Sequence, residues 1–244
     1  MITLHLIGIG TGNPDHVTME ARKAMAGADL ILVPEKGDDK TDLADLRRQI
    51  VAEVCPDVTV EGFAMPVRDP ALPYLERVER WHDAIAGRWA GAMARYPQAR
   101  EVVLLVWGDP SLYDSTLRIA ARLRPAPKLR VVPGITALQA LTAAHAIPLN
   151  TVNGPVTITT GRRLRDHGWP EGAETVAVML DGECSFLGLA PEGVRIWWGA
   201  CLGMANQVLD AGPLAEAGPR IVAARAEARA AHGWIMDIYL LRRT

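Results

Sequence analysis

The chain has 244 residues, of which 49% are apolar and 22% charged, with a formal net charge of −2. That composition can fill a sizeable core, excludes a disordered chain and supplies no global attraction to nucleic acid. Cys55, Cys184 and Cys201 form no CxxC pair, the histidines form no HExxH or Cys/His cluster, and no apolar run reaches the ~18–20 residues of a membrane span, so we expect a cytoplasmic protein with no disulfide framework, no metal site and no membrane partner.

Leu4-His5-Leu6-Ile7 is a short apolar run ending in Gly8-Ile9-Gly10-Thr11-Gly12, and Thr18 is placed to cap a helix running to about Met25. Leu30–Val33 reads as a second strand, halted by Pro34. Such near-continuous apolar runs predict strands covered on both faces, hence a mainly parallel sheet flanked by helices. A helix is expected from Asp42 to Val54, with Leu43, Leu46, Ile50 and Val54 on one face. After a loop at Pro66–Pro73, helical spacing returns from Tyr74 to Met93 with Leu75, Val78, Trp81 and Ile85 on one stripe. Val102–Val106 reads as a buried strand ending in Trp107-Gly108-Asp109-Pro110, with a helix to Leu123. Leu129–Val132 is the next strand, ending in Pro133-Gly134-Ile135-Thr136-Ala137, with a helix to about Ala146. Ile147–Asn150 reads as a boundary, giving domains 1–149 and 150–244. Beyond it come strand candidates at Val156–Thr160, Val176–Leu180, Val194–Trp198, Ile221–Ala224 and Trp234–Leu241, with one helix near Ala205–Ala211. That pattern suggests a second α/β domain on a mixed sheet.

Three strands of the first domain end in glycine-containing loops, and ligands of parallel α/β sheets bind beyond the carboxyl ends of the strands. Taken singly, each loop could be a plain tight turn, with Asp109 capping the next helix. A dinucleotide fingerprint would want a glycine where Asn13 stands, although Glu35 could serve as its ribose-binding acid, so an NAD-dependent oxidoreductase stays open.

Taken in order, the loops resemble the motifs of the tetrapyrrole (class III) methyltransferases. Leu6–Asp15 is similar to the family's opening, Gly108-Asp109-Pro110-Ser111-Leu112-Tyr113 to its second motif, Pro133–Ala137 to its third and Thr159-Thr160-Gly161 to its fourth. Within the family, Val33-Pro34-Glu35-Lys36-Gly37, Met179–Phe186 and His232–Asp237 resemble a deacetylating corrin-pathway branch. The resemblance implies two α/β domains with the active site in the cleft between them, S-adenosylmethionine as cofactor, a tetrapyrrole substrate and a homodimer. Its implied reaction is methylation of precorrin-5 at C-1 with release of acetate. Another precorrin or uroporphyrinogen methylase is the alternative.

Carried over position by position, the resemblance implies cofactor contacts at Thr11, Trp107, Gly108, Asp109, Leu112, Thr136, Ala137, Asp181 and Leu202. Gly10 would face substrate. Arginine forks suit the substrate's carboxylates, and Arg162, Arg163 and Arg225 are the candidates. Deacetylation needs a base to activate water, for which Asp237, His232 and Glu35 are the candidates.

Overall fold

The computed structural model describes residues 1–35 and 41–243, which divide into two compact units, Met1–Ile135 and Thr136–Thr244. Lys36, Gly37 and the side chain of Leu43 lie outside the described residues.

The first unit holds a five-stranded sheet in the order β3-β2-β4-β1-β5, formed by β1 (Thr3–Gly8), β2 (Leu30–Glu35), β3 (Thr59–Ala64), β4 (Glu101–Val106) and β5 (Lys128–Val132), with every pairing parallel. Strand alternation explains the unbroken apolar runs. Leu4, Leu6, Leu30, Leu32, Val102, Leu104 and Val106 join one core cluster with Ile85, Trp89 and Ile119, whereas Ile7, Ile31, Val33, Val103 and Leu105 join another with Ala21, Met25 and Ile50. Helices α3 (Tyr74–Ala94) and α4 (Thr116–Ala120) therefore cover one face, and α1 (Met19–Ala26) and α2 (Thr41–Val54) the other. Thr18 caps α1 as its chemistry predicts, its hydroxyl accepting from the Ala21 amide at 3.1 Å.

Three features of this unit depart from the sequence reading. The apolar pattern did not announce β3, an edge strand whose Glu61 and Gly62 interrupt its alternation. Leu75 is 76% exposed, and the buried stripe of α3 is His82, Ile85, Ala86, Trp89 and Ala92. α4 is much shorter than expected, because Pro110 and a left-handed Tyr113 (φ 49°) hold the preceding residues in turns.

The second unit begins with α5 (Ala137–Ala144), earlier than the boundary expected at 149/150, because α5 packs on β8 and β10 of that unit. Its mixed sheet has the order β6-β7-β10-β8-β9, formed by β6 (Val156–Thr160), β7 (Thr175–Met179), β8 (Val194–Ala200), β9 (Val208–Pro213) and β10 (Asp237–Arg243). β6 and β7 are parallel, and the remaining pairs are antiparallel. Helix α6 (Gly161–His167) follows β6, and α7 (Leu214–His232) packs against β8 and β9.

Helix and strand are exchanged near the end of the chain. Residues expected to form a helix at Ala205–Ala211 lie partly in β9, and Ile221–Ala224, expected as a strand, lies inside α7. Residues 214–232 are rich in alanine, glutamate and arginine, which favour helix. Pro213 precedes them, and Gly233 (φ 70°) terminates them with its amide on the Arg229 carbonyl.

Ile85→Ala should destabilise the protein by about 2–5 kcal/mol, whereas Leu75→Ser should change stability by less than about 0.5 kcal/mol. Urea denaturation of the two variants checks the reassigned stripe of α3, and equal losses would contradict it.

Candidate active site

β4, β1 and β5 are consecutive and parallel, so their glycine loops emerge together at one sheet edge. The loops pack backbone on backbone. A Cβ added at Gly134 would lie 2.1 Å from the Gly108 carbonyl oxygen and 2.7 Å from Gly8 Cα, and one at Gly8 would lie 2.6 Å from the Gly134 amide nitrogen. Both positions need glycine because another backbone already occupies the space a side chain would take. Gly10 and Gly108 form an antiparallel bridge, the Gly108 amide donating to the Gly10 carbonyl at 2.7 Å, with both residues at positive φ (76° and 67°). Thr11 is buried, its hydroxyl 3.4 Å from His16 Nδ1.

Asp109 fastens this arrangement. Its Oδ2 accepts from the Gly134 amide at 2.8 Å, and its Oδ1 accepts from the Ser111 amide at 2.8 Å and the Ser111 hydroxyl at 2.5 Å. Burial alone would raise its pKa. The bonds from Ser111 and Gly134 outweigh burial and hold the carboxyl below its ordinary value. Asp109 is thus a tie from the second loop to the third.

In the second unit β6, β7 and β8 run in the same direction, and their carboxyl ends share an edge with the start of β10. Thr160 caps α6 there, its hydroxyl accepting from the Arg163 amide at 3.4 Å. After β7 the chain turns through Leu180, left-handed at φ 55° and 67% exposed, while Asp181 folds inward. The Asp181 carboxylate accepts from the Glu183 amide at 3.0 Å, the Ser185 amide at 2.6 Å, the Ser185 hydroxyl at 2.9 Å and the Tyr239 hydroxyl at 2.6 Å. Desolvation opposes its charge, but Tyr239, Glu183 and Ser185 together lower its pKa. Burial and the adjacent Asp181 charge push the Tyr239 phenol far up, so it stays protonated and donates to Asp181.

Arg225 and Asp237 form a buried ion pair beside this turn. Arg225 Nε donates to Asp237 Oδ2 at 2.7 Å, and the same oxygen accepts from Trp198 Nε1 at 3.0 Å. Arg225 Nη2 donates to the Asp181 carbonyl at 2.7 Å and Nη1 to the Gly182 carbonyl at 3.1 Å. Burial works against the guanidinium charge, but the Asp237 carboxylate more than offsets it and raises the pKa.

A family model described as tetrapyrrole (corrin/porphyrin) methylases matches residues 3–218. The chain belongs to that family. It is 46% identical over 246 residues to a precorrin-6A synthase [deacetylating] from Sinorhizobium sp, covering 98% of this chain and 94% of that one. A crystal structure of a cobalamin synthesis related protein (CobF) from Corynebacterium diphtheriae aligns over 100% of this chain and 99% of its own, with 39% identity and a TM-score of 0.86. A uroporphyrin-III C-methyl transferase from Thermus thermophilus, complexed with S-adenyl homocysteine, is 17% identical with a TM-score of 0.62 over 98% of this chain and 97% of that one, and shares the fold. These findings identify a cobalamin-biosynthesis methyltransferase rather than a dinucleotide oxidoreductase.

For this tetrapyrrole methylase, the structure gathers Gly10, Thr11, Trp107, Gly108, Asp109 and Leu112 around the first unit's loops. Thr136 caps α5 in a reciprocal pair with Gln139, and Ala137 is the first residue of that helix. Leu202 is buried in the turn after β8, behind a left-handed Cys201. Arg162 and Arg163 are exposed on α6, His232 is exposed in the last turn of α7, and Glu35 pairs with Arg48 at 2.6 Å.

Several assignments change. Arg225 was expected to bind substrate carboxylates, but its donors are committed to Asp237 and to the carbonyls of Asp181 and Gly182. Asp237 was expected to activate water, but its carboxylate is held by Arg225 and Trp198. The Asp181 side chain faces four donors of its own unit, and the residue its turn presents outward is Leu180. An aspartate two residues before a turn amide signals such an inward fold, and the sequence reading did not use it. It also passed over Arg47, which stands at helical spacing between Leu43 and Ile50, within the apolar stripe of α2.

Gly134→Ala should destabilise the protein by about 1–3 kcal/mol, since its Cβ meets backbone that has little room to give, whereas Gly91→Ala, with open space around its Cβ in α3, should stabilise by about 0.5–1 kcal/mol. Thermal and urea denaturation read both, and a harmless Gly134→Ala would contradict the loop contact.

The lowered pKa of Asp181 sets an acid dependence. Its stabilising contribution is complete above its ordinary value of 3.8 and is lost as the pH falls below that value through the folded-state pKa. Asp181→Asn should be less stable at neutral pH but should lose less stability than the wild type between about pH 5 and pH 2. Urea midpoints across that range check the sign, and parallel curves would contradict it.

Proposed function

We propose that the protein is an S-adenosylmethionine-dependent C-methyltransferase that methylates precorrin-5 at C-1 and releases the substrate's acetyl group as acetate, giving precorrin-6A. The observation that carries this reading is the 46% identity, over nearly the full length of both chains, to a precorrin-6A synthase [deacetylating]. The family resemblance further supports a cytoplasmic homodimer.

The residues present fit a methyl-donor cofactor. The ends of β1, β4 and β5 offer a cluster of main-chain groups whose Gly8 and Gly134 leave no room for side chains among them, and Asp109 fixes their mutual position. The cofactor, when bound, supplies an already activated methyl group. What this chain must supply is orientation and exclusion of water. The residues proposed to hold the cofactor are Thr11, Trp107, Gly108, Leu112 and the backbone of Asp109, with Thr136, Ala137, Leu202 and the exposed Leu180 in place of the Asp181 side chain. Arg162 and Arg163 are proposed for substrate carboxylates, with Gly10 giving the substrate a close approach to backbone.

Loss of the acetyl group balances the methylation if water adds to the acetyl carbonyl. The bond to the ring then breaks, acetate leaves, and the electron pair left on the ring carbon attacks the methyl group. The proton of that water needs an acceptor. With Asp237 buried against Arg225 and Trp198, the proposed acceptors are His232 and Glu35, whose pair with Arg48 is half exposed and leaves its carboxylate open to water.

Incubation of the protein with precorrin-5 and S-adenosylmethionine should give one acetate and one S-adenosylhomocysteine per product, with a product mass that has gained a methyl and lost an acetyl group. Mass spectrometry and acetate assay on the same reaction read this. A methylated product that keeps its acetyl group would replace the proposal with another precorrin methylation, and turnover of uroporphyrinogen alone would move it to a different tetrapyrrole.

A further inference from the structure

β3 ends at the same carboxyl edge of the parallel sheet as β1, β4 and β5, and the loop that follows it, residues 65–73, carries Arg68. The Arg68 guanidinium lies over the Trp81 ring, with its carbon 4.0 Å from the ring centroid. That ring is fixed in turn. Trp81 Nε1 donates to the Pro66 carbonyl at 2.7 Å, and the side chain packs against the core cluster beneath α3. Arg68 is nonetheless exposed, and among the described residues no carboxylate pairs with it.

Arg118 reaches the same neighbourhood from α4, which follows the loop after β4. Its Nη1 donates to the Asp114 carbonyl at 2.8 Å, the side chain is exposed, and among the described residues it too has no carboxylate partner. His82 shows that the two charges are close. It is buried in α3 next to Trp81, and neither of its ring nitrogens has a partner. Burial and then the Arg122 charge lower its pKa, with Arg118 and Arg68 acting in the same sense and Glu79 opposing them. Three arginines therefore surround one imidazole that stays neutral. Arg122 is compensated by ion pairs with Glu79 and Asp83, which leaves Arg68 and Arg118 as the uncompensated charges.

Like charges gathered without a counter-ion repel each other, and an arriving anion relieves that repulsion. A guanidinium stacked by one face on an indole is held in orientation, while its N–H edge still matches a carboxylate. β3 stands two strands from β4, about 10 Å at the usual strand spacing, so an anion here is held well to one side of Gly108. That placement suits the rim of a broad ligand whose body lies at the glycine loops. We propose that Arg68, stacked on Trp81, and Arg118 are specificity-determining residues that bind peripheral carboxylates of the tetrapyrrole substrate. The inference rests on the tetrapyrrole reading above and deepens it, by naming the side chains that select for an acidic macrocycle.

The test titrates precorrin-5 into the protein loaded with S-adenosylhomocysteine, using the free acid and the product of chemical esterification of its carboxylates. Arg68→Gln and Arg118→Gln should each weaken binding of the free acid about tenfold, the effect of losing one charge-assisted pair, and the double variant should weaken it further. Affinity for the ester should hardly change, and S-adenosylhomocysteine affinity should stay within about twofold. Arg68→Lys, keeping charge without the planar group that stacks, should fall between Arg68→Gln and the wild type. Arg88→Gln, at another exposed position of α3, controls for net charge and should leave affinity for the free acid within about twofold. Arg68→Gln and Arg118→Gln variants that bind the free acid as the wild type does overturn the proposal. So does an equal loss in Arg88→Gln, which would make the effect one of overall charge. Equal losses for acid and ester, or failure of the variants to fold, also overturn it by making the two arginines supports of the loop and of α4. If the wild type binds precorrin-5 in an Arg68-dependent way yet does not methylate it, the proposed reaction fails and the assignment of Arg68 and Arg118 stands.

Discussion

The first unit depends on a contact in which no side chain takes part. Gly8, Gly108 and Gly134 come from three strands, and their main chains meet at distances that leave no place for a Cβ at Gly8 or Gly134. The sheet places these residues next to one another because β4, β1 and β5 are consecutive. Asp109 then converts proximity into fixed geometry by accepting from the Gly134 amide across the gap between loops. Its charge is tolerated because amide and hydroxyl donors surround it. A surface made of main chain is rigid and presents both donors and acceptors, which suits a site whose work is alignment rather than covalent chemistry.

The second unit reaches comparable order by other means. Its edge is organised by side chains: the Asp181 carboxylate gathers the turn after β7 by accepting from Ser185, Glu183 and Tyr239, and Arg225 ties that turn to Asp237. Satisfied networks of this kind specify a single arrangement, because each unsatisfied member would be costly in a buried setting. The left-handed Leu180 is the visible consequence. Turning Asp181 inward sends its neighbour outward in a conformation that an L residue rarely adopts.

Much of the fold was legible because both faces of the first sheet are covered, so runs such as Leu30–Val33 and Val102–Val106 stand out as continuous apolar segments. The four loop motifs were legible for the same reason in reverse, as glycine and proline punctuate strand ends. β3 escaped because an edge strand need not alternate cleanly, and α7 escaped because Ile221 and Val222 together mimic a strand when their alanine-rich surroundings are ignored. Roles of charged residues were hardest to read. Sequence presents Arg225 and Asp237 as a fork and a base, each with its own use, and only folding reveals that they neutralise each other. Arg47 is the opposite case, a charge hidden by its place in an apolar register.

The position of β10 has a consequence for how the chain acquires its structure. This strand, the last in the described chain, lies at the centre of the second sheet, with β6-β7 on one side and β8-β9 on the other. Each of those pairs can form from residues that are near in sequence, but nothing in the sheet joins them until β10 is inserted between β7 and β8. Without β10, β7 and β8 would each present an unpaired inner edge, and such edges invite pairing with other chains. The same strand carries Asp237 to Arg225 and Tyr239 to Asp181. The segment that completes the polar network is thus also the one that covers the inner edges of both strand pairs.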